Sequence, residues 1–377
     1  MNRLGSVAIA CRQLRRVTGA VCQVREHIRL FSRLASQVDV YCESVDRRAV
    51  KEGGGIPRAI SGWPLSGHRR RRFFNWRVLR QVRRRNYALV VGHGDIMEQD
   101  VLCLHNCVHL AHEMIHGCPA PANHVMARIH GELLSGGYFR LLIANSNMMR
   151  QDIVGRFRIE PERVEVVYPG YDPAKFNRDE RDALRPWVRK QLKLGAKDVL
   201  IGLVTSGNFE KRNVDFFLRS VAKLPGELKP RCHFLVTGRE SKVAHYKSLA
   251  KEVGLGRRVH FSDFTSRVQD SYHALDVCVL PAKLEEFGRV VLEAMACGLP
   301  VITSDRVGCS ELFPSGSRAL VFPSGDEDEF LRRLSALISH PDLRHKLGEG
   351  NLAVARNNRE PEQGRRFESI LRERGLI

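Results

Sequence analysis

Residues Leu284–Val301 read LEEFGRVVLEAMACGLPV, and the fold follows from what stands on either side of Gly288. Upstream, Asp276-Val-Cys-Val-Leu280 is a short apolar run of strand length and β-branched character, stopped by Pro281. Downstream, Val290, Val291, Ala294, Met295 and Leu299 recur at helical spacing, and Gly298-Leu-Pro300 closes the segment as helix ends commonly close. Strand, loop, then helix predicts Phe287-Gly288 at a helix N-terminus, on the carboxyl edge of a parallel sheet. Open α/β sheets bind ligands at that edge, and the N–H groups of a helix start attract phosphate.

Two carboxylates bracket the turn. Glu285 lies in the loop and Glu293 more than a turn into the helix, so both can face one pocket. A carboxylate accepts two hydroxyl hydrogen bonds at once, which suits the vicinal diols of a ribose or hexose. An acidic loop and a solvated helix glutamate account for the same residue types, because strand–loop–helix units are common.

The spacing is more telling than the types. Glu285, Phe287, Gly288 and Glu293, followed by Ala-Met-Ala-Cys-Gly-Leu-Pro-Val, resemble the nucleotide-sugar motif of the family 4 retaining glycosyltransferases. The resemblance implies an α/β GT-B fold, two Rossmann-like doubly wound domains facing each other across a cleft. It also implies that Glu293 binds the nucleotide ribose, that Glu285 lies near the donor sugar hydroxyls, and that Phe287 and Gly288 belong to the donor site. One departure is visible: the family usually has Gly between the first Glu and Phe, and here the residue is Glu286.

With 377 residues the chain is long enough for two domains with full cores, and its 43% hydrophobic and 27% charged content is that of a soluble globular protein. No uninterrupted apolar run approaches the ~18 residues that span a bilayer. The net charge of +19 implies anionic partners: nucleic acid, acidic lipid surfaces or phosphorylated glycolipids. Ten cysteines without a paired C-x-x-C framework read as buried thiols in a reducing compartment. Arginines precede the first acidic residue, Glu26, as in an organellar presequence, but Ser6-Val-Ala-Ile-Ala-Cys11 has no polar face and reads as the first buried strand.

After that strand, Thr18-Gly19-Ala20 opens a helix running through Val24, Ile28, Phe31 and Leu34. The full G-x-G-x-x-G is absent, and Gly19 fits either a plain turn or, by the resemblance, the loop beneath the donor phosphates. His68–Arg85 interleaves arginines with Phe73, Phe74, Trp76, Val78, Leu79 and Val82, of which Phe74, Val78 and Val82 share one helical face. Such a helix fits the interface of an anionic membrane, at ~1 kcal/mol per basic residue. The same composition could bind nucleic-acid phosphates or simply solvate its arginines, but an anionic membrane surface is the preferred partner of residues 68–85. Cys103, His105, Cys107, His109 and His112 raise zinc, but the spacing lacks the paired order of a zinc knuckle and no metal site is expected. A strand over Val101–His105 delivering a polar residue is preferred. The resemblance gives this region a residue that contacts the transferring sugar, and His105 is chosen ahead of His109.

In the second half, Val199–Val204 is a strand leading to Ser206, Gly207, Lys211 and Arg212 ahead of a helix, an anion site in outline. In the family an Arg after this strand and a Lys before the helix clamp the donor diphosphate. The Lys role falls on Lys211 or Arg212, and Ser206 or Gly207 stands at the usual Arg position. Cys232–Gly238 resembles the family's glycine-ended strand, and Phe264 lies in the loop where members contact the base. Domains are expected at 1–180 and 190–358, with residues 177–195 as the connection and a C-terminal helix, about 360–377, packing back on the first.

These readings combine into an expected enzyme of hexosyltransferase type, retaining and metal-independent, with no cofactor. It would move a hexose from a UDP or GDP type nucleotide-diphosphate sugar to a glycan or glycolipid. The chain looks most like bacterial hexosyltransferases of lipopolysaccharide-core type, which places it in the cytoplasm, peripheral on the inner face of the cytoplasmic membrane, with no specific nucleic acid partner. Glu285, Lys211, Arg212 and His105 carry the expected chemistry. The alternative is a nucleic-acid-binding protein on an α/β scaffold that uses residues 68–85, which leaves the two glutamates without a role.

Overall fold

Two parallel α/β sheets organise the chain in a computed structural model that describes residues 3–15, 18–62, 66–263 and 267–377. In the first, β1 (Leu4–Ala10), β2 (Ala35–Cys42), β3 (Ile56–Ala59), β4 (Leu89–Gly92), β5 (Val101–Cys103), β6 (Leu141–Ala144) and β7 (Val164–Val166) lie in the order β3-β2-β1-β4-β5-β6-β7. In the second, β8 (Val199–Val204), β9 (Cys232–Thr237), β10 (Val259–Ser262), β11 (Val277–Leu280), β12 (Val301–Ser304) and β13 (Val321–Phe322) lie in the order β10-β9-β8-β11-β12-β13. Every pairing among them is parallel. Strands covered on both faces must be apolar throughout: Val7–Ala10 and all of β8 are buried.

Each sheet reverses its winding once, between β1 and β4 in the first and between β8 and β11 in the second. Those are the places where doubly wound sheets open a crevice at their carboxyl edge.

The first unit takes Met1–Pro169 and Glu360–Ile377, and the second takes Gly170–Arg359. The helix Glu360–Glu373 adds Phe367, Ile370 and Leu371 to the core formed by Val24, Ile28, Phe31 and the strands of the first unit. Each such side chain contributes roughly 1.5–3 kcal/mol of burial. The 177–195 stretch, read from its charge as a connection with one helix, carries that helix and falls within the second unit. The helix Arg178–Gln191 sets Arg185 at 2.6 Å and Arg189 at 2.9 Å from the Asp276 carboxylate, just before β11. Sequence reading missed β3 and β13, edge strands of four and two residues. No helix among the described residues is long and apolar enough to cross a membrane.

Candidate functional site

At the carboxyl edge of β8 and β11, three loops are laced into one platform. The loop after β11 reaches the first loop by Lys283 N to Lys211 O, 3.0 Å. It reaches the third by Glu285 N to Arg306 O at 2.8 Å, Gly308 N to Glu285 O at 3.0 Å and Cys309 N to Phe287 O at 2.6 Å. Backbone bonds of this kind fix the side chains the loops carry.

The first loop demands unusual backbone. Gly207 has φ +142°, and an added Cβ would overlap the Arg239 carbonyl oxygen, so only glycine fits. Thr205 Oγ1 accepts from Gly207 N at 3.2 Å, and the Asn208 side chain accepts from Lys211 N at 3.1 Å. Ser206 is exposed beside them, and Gly238, at the end of β9, packs against Thr205 and Phe209.

Two ion pairs cross between these loops. Arg212 Nη2 lies 2.6 Å from Glu285 Oε2, and Lys211 Nζ lies 2.6 Å from Glu286 Oε2. The pairs differ in setting, since Lys211 is 8% and Glu286 4% exposed while Arg212 and its partner retain more contact with solvent. Burial opposes ionisation of Glu286, but the Lys211 charge and hydrogen bond outweigh it and hold the carboxyl below its usual value. Sequence left the choice of cation open. The structure sets Lys211 against Glu286, the residue that departs from the family pattern, and Arg212 against Glu285.

Gly288, at φ +88°, directs the chain into the helix Arg289–Ala296, as the strand–loop–helix reading predicts. Phe287 is buried beside it. Glu293, on that helix, accepts a 2.8 Å hydrogen bond from the Tyr272 hydroxyl. Its carboxyl is pushed up by burial, an effect only partly offset by Arg289, the Tyr272 hydroxyl and Lys175. Tyr272 packs edge-on against Phe176. Nothing in the sequence around Tyr272 signals this role, because the contact is made by packing across the fold.

Two predicted site residues belong to the first unit. Gly19 is exposed at the first position of the helix Gly19–Leu34, capped by Thr18 Oγ1, which accepts from Val21 N at 3.3 Å. His105 follows β5 by two residues, and its Nε2 is 2.9 Å from His93 Nδ1, with the two rings stacked 4° from parallel. The other histidines of that stretch hold backbone, His109 Nε2 at 3.0 Å from Ala127 O and His112 Nδ1 at 3.0 Å from Cys118 O. Phe264 lies outside the described residues.

The basic stretch folds as the helix Gly67–Val82 with Phe74, Val78 and Leu79 buried. Its arginines divide. Arg70 pairs with Glu43 at 3.2 Å, Arg71 with Asp95 at 2.7 Å, and beyond the helix Arg83 pairs with Glu98 at 2.7 Å. Arg72, Arg80 and Arg84 have no ion-pair partner among the described residues. They line a hollow with Trp76, which is 50% exposed and carries Arg80 over its ring at 5.6 Å. An Asp-x-Asp triplet, Asp326-Glu-Asp328, is spent on a helix start, where Asp326 Oδ1 accepts from Glu329 N at 3.0 Å.

Known protein families match the sequence of both units. A family of glycosyl transferases group 1 matches residues 188–352, and Glycosyltransferase Family 4 matches residues 17–175. The chain is 31% identical, over 62% of its length and 51% of the relative's, to a D-inositol 3-phosphate glycosyltransferase of Streptomyces bingchenggensis. It spans about half the length of the curated relatives it matches.

Solved structures share the fold at low identity. WaaG, a glycosyltransferase involved in lipopolysaccharide biosynthesis, superposes with a TM-score of 0.81 at 20% identity, covering 97% of this chain and 99% of WaaG. Anabaena HepE, in complex with UDP and glucose, gives 0.79 at 16% identity, covering 98% and 99%. Both units therefore have the Rossmann-like form of GT-B proteins. The chain thus carries a Glycosyltransferase Family 4 domain followed by a group 1 glycosyl transferase domain.

Proposed function

We propose that the chain transfers a hexose, with retention of configuration and without a metal ion in the chemistry, from a nucleotide-diphosphate sugar to an anionic glycan or glycolipid. The observation that carries this reading is the laced platform of the second unit, where Arg212, Glu285 and the helix start at Gly288 sit together and Glu293 follows on the same helix. As the bond from the sugar's C1 to the diphosphate breaks, negative charge gathers on the leaving phosphate. In this scheme Arg212 and the N–H groups at the start of Arg289–Ala296 receive it, and fixed dipoles of that kind account for several kcal/mol of barrier reduction.

Glu293 takes the ribose hydroxyls in this scheme and Glu285 the sugar hydroxyls, each as an acceptor of O–H bonds. Ser206, Gly207 and Gly238 let backbone approach the donor. Gly19 and His105 keep the roles the resemblance gives them, beneath the donor phosphates and beside the transferring sugar. Retention follows with the leaving phosphate as base on the same face of the sugar. Lipopolysaccharide core is the acceptor class favoured by the charge of +19 and by the Arg72, Arg80, Arg84 and Trp76 hollow, which suits phosphate-bearing lipid at a membrane surface.

A thermal-shift panel of UDP, GDP and ADP hexoses tests the donor reading, since a ligand bound to the native state adds RT ln(1 + [L]/Kd) to stability. One nucleotide class should raise the melting temperature in a saturable manner. No shift with any of the three would remove the proposal.

A further inference from the structure

His27, His93 and Cys103 come from three separate elements of the first unit and meet inside it. His27 is in the middle of the helix Gly19–Leu34, His93 directly follows β4, and Cys103 ends β5. The register pairs Gly92 with Leu102, so one step further His93 and Cys103 fall level on neighbouring strands. All three are buried, and one ligand atom of each lies within 4.8 Å of the others. Cys103 Sγ stands 3.9 Å from His27 Nδ1. His93 Nε2 has no hydrogen-bond partner among the described residues, while its Nδ1 is engaged by His105.

We propose that His27, His93 and Cys103 form a binding site for one zinc-like divalent cation. Two imidazoles and a thiolate are the donor set that zinc and cobalt favour, and three protein ligands leave a fourth position for water. Zinc–nitrogen bonds of about 2.0–2.1 Å and zinc–sulfur bonds of about 2.3 Å need donor atoms roughly 3.3–3.8 Å apart, which small rotamer adjustments reach from the observed set. The thiol loses its proton to solvent as the metal–sulfur bond forms.

The neighbours serve such a site. His105 Nε2, 2.9 Å from His93 Nδ1, stands where a second layer of hydrogen bonding fixes the orientation of a ligating ring. The Phe367 ring stacks on His27 at 4.6 Å and excludes water from that side. Spacing along the chain hides the cluster, because the three ligands are separated by 66 and 10 positions and only Cys103 belongs to the cysteine- and histidine-rich stretch. The cation would order the carboxyl edge of β4 and β5 in the first unit, and its uptake can be measured whether or not the proposed transfer holds.

The test is metal uptake by the full chain. After removal of metal with chelator, titration with Co²⁺ should reach about one equivalent and develop a thiolate-to-cobalt charge-transfer band. Cys103→Ser should lose the band, and His93→Phe should lose most of the uptake, both with native far-ultraviolet circular dichroism. X-ray absorption of the zinc-loaded wild-type chain needs no variant and should show one sulfur and two imidazole nitrogens. Absence of uptake, uptake unchanged in both variants, or a metal shell without sulfur or with several sulfurs would each overturn the site.

Discussion

Arg212 Nη2 sits 2.6 Å from Glu285 Oε2, so the cation assigned to the donor diphosphate is held by the carboxylate assigned to the sugar. A guanidinium poised this way needs no reorganisation when charge develops on a leaving phosphate. Arg212→Ala should lower kcat/KM for the nucleotide sugar by about 10²–10³-fold. Arg212→Lys should recover part of that loss, because it keeps the charge but not the planar fork. Steady-state release of nucleotide diphosphate reads both, and an unchanged rate in the alanine variant would set Arg212 aside.

Glu293 trades stability for binding. Its carboxyl is raised above the usual 4.5 by burial. Stability is therefore fullest below that value and is lost as pH rises through the folded pKa, because ionising the buried carboxyl costs its desolvation. Glu293→Gln removes that cost while keeping the shape and the partner for Tyr272. Its melting temperature at pH 7 should rise by about 2–4 °C for each kcal/mol relieved, while the donor-induced shift disappears. A variant that melts lower than wild type at pH 7 would contradict the burial argument.

The Lys211–Glu286 pair should behave as a buried ion pair. Lys211→Met removes the cation paired with the buried Glu286 carboxylate, at about 3–5 kcal/mol, whereas Lys211→Met with Glu286→Leu should return close to wild-type stability. Urea denaturation measures each term of that cycle. The lowered carboxyl fixes the sign with pH: the pair's contribution is present above 4.5 and is lost as pH falls through the folded pKa. Acid denaturation of the double variant should accordingly be the shallower of the two below pH 4.5.

The exposed basic hollow predicts salt-sensitive adhesion. Replacing Arg72, Arg80 and Arg84 together by Ser should reduce partition onto vesicles of anionic lipid by about a hundredfold, at ~1 kcal/mol per residue, and leave zwitterionic vesicles unaffected. Co-sedimentation at two salt concentrations measures this. Equal binding by wild type and triple variant would place the acceptor contact elsewhere, and salt-sensitive RNA binding lost in the same variant would favour the nucleic-acid reading.

Much of this architecture is legible in the chain, because parallel strands buried on both faces write themselves as continuous apolar runs. Val199–Val204 and Val277–Leu280 stand where those runs place them. The helix start at Gly288 is legible for a related reason, since a β-run, a stop and a glycine leave few alternatives. What the sequence does not carry is partnership. Arg70 and Arg71 look as free as Arg72 in a line of four arginines, yet Glu43 and Asp95 fix them from the loops that follow β2 and β4. Tyr272 meets Glu293, and His27 meets Cys103, only because the sheets bring them together. The edge strand β3 escapes notice because Ile56-Pro-Arg-Ala59 is not an apolar run, and β13 because it is only two residues long.

The account rests on a sugar nucleotide held at the carboxyl edge of β8 and β11, and calorimetric titration measures that most directly. The donor identified by thermal shift should bind the wild-type chain at about one site, and Glu293→Gln and Arg212→Ala should each weaken it by at least about tenfold, near 1.4 kcal/mol, while remaining folded. Unaltered affinity in both folded variants would contradict the account.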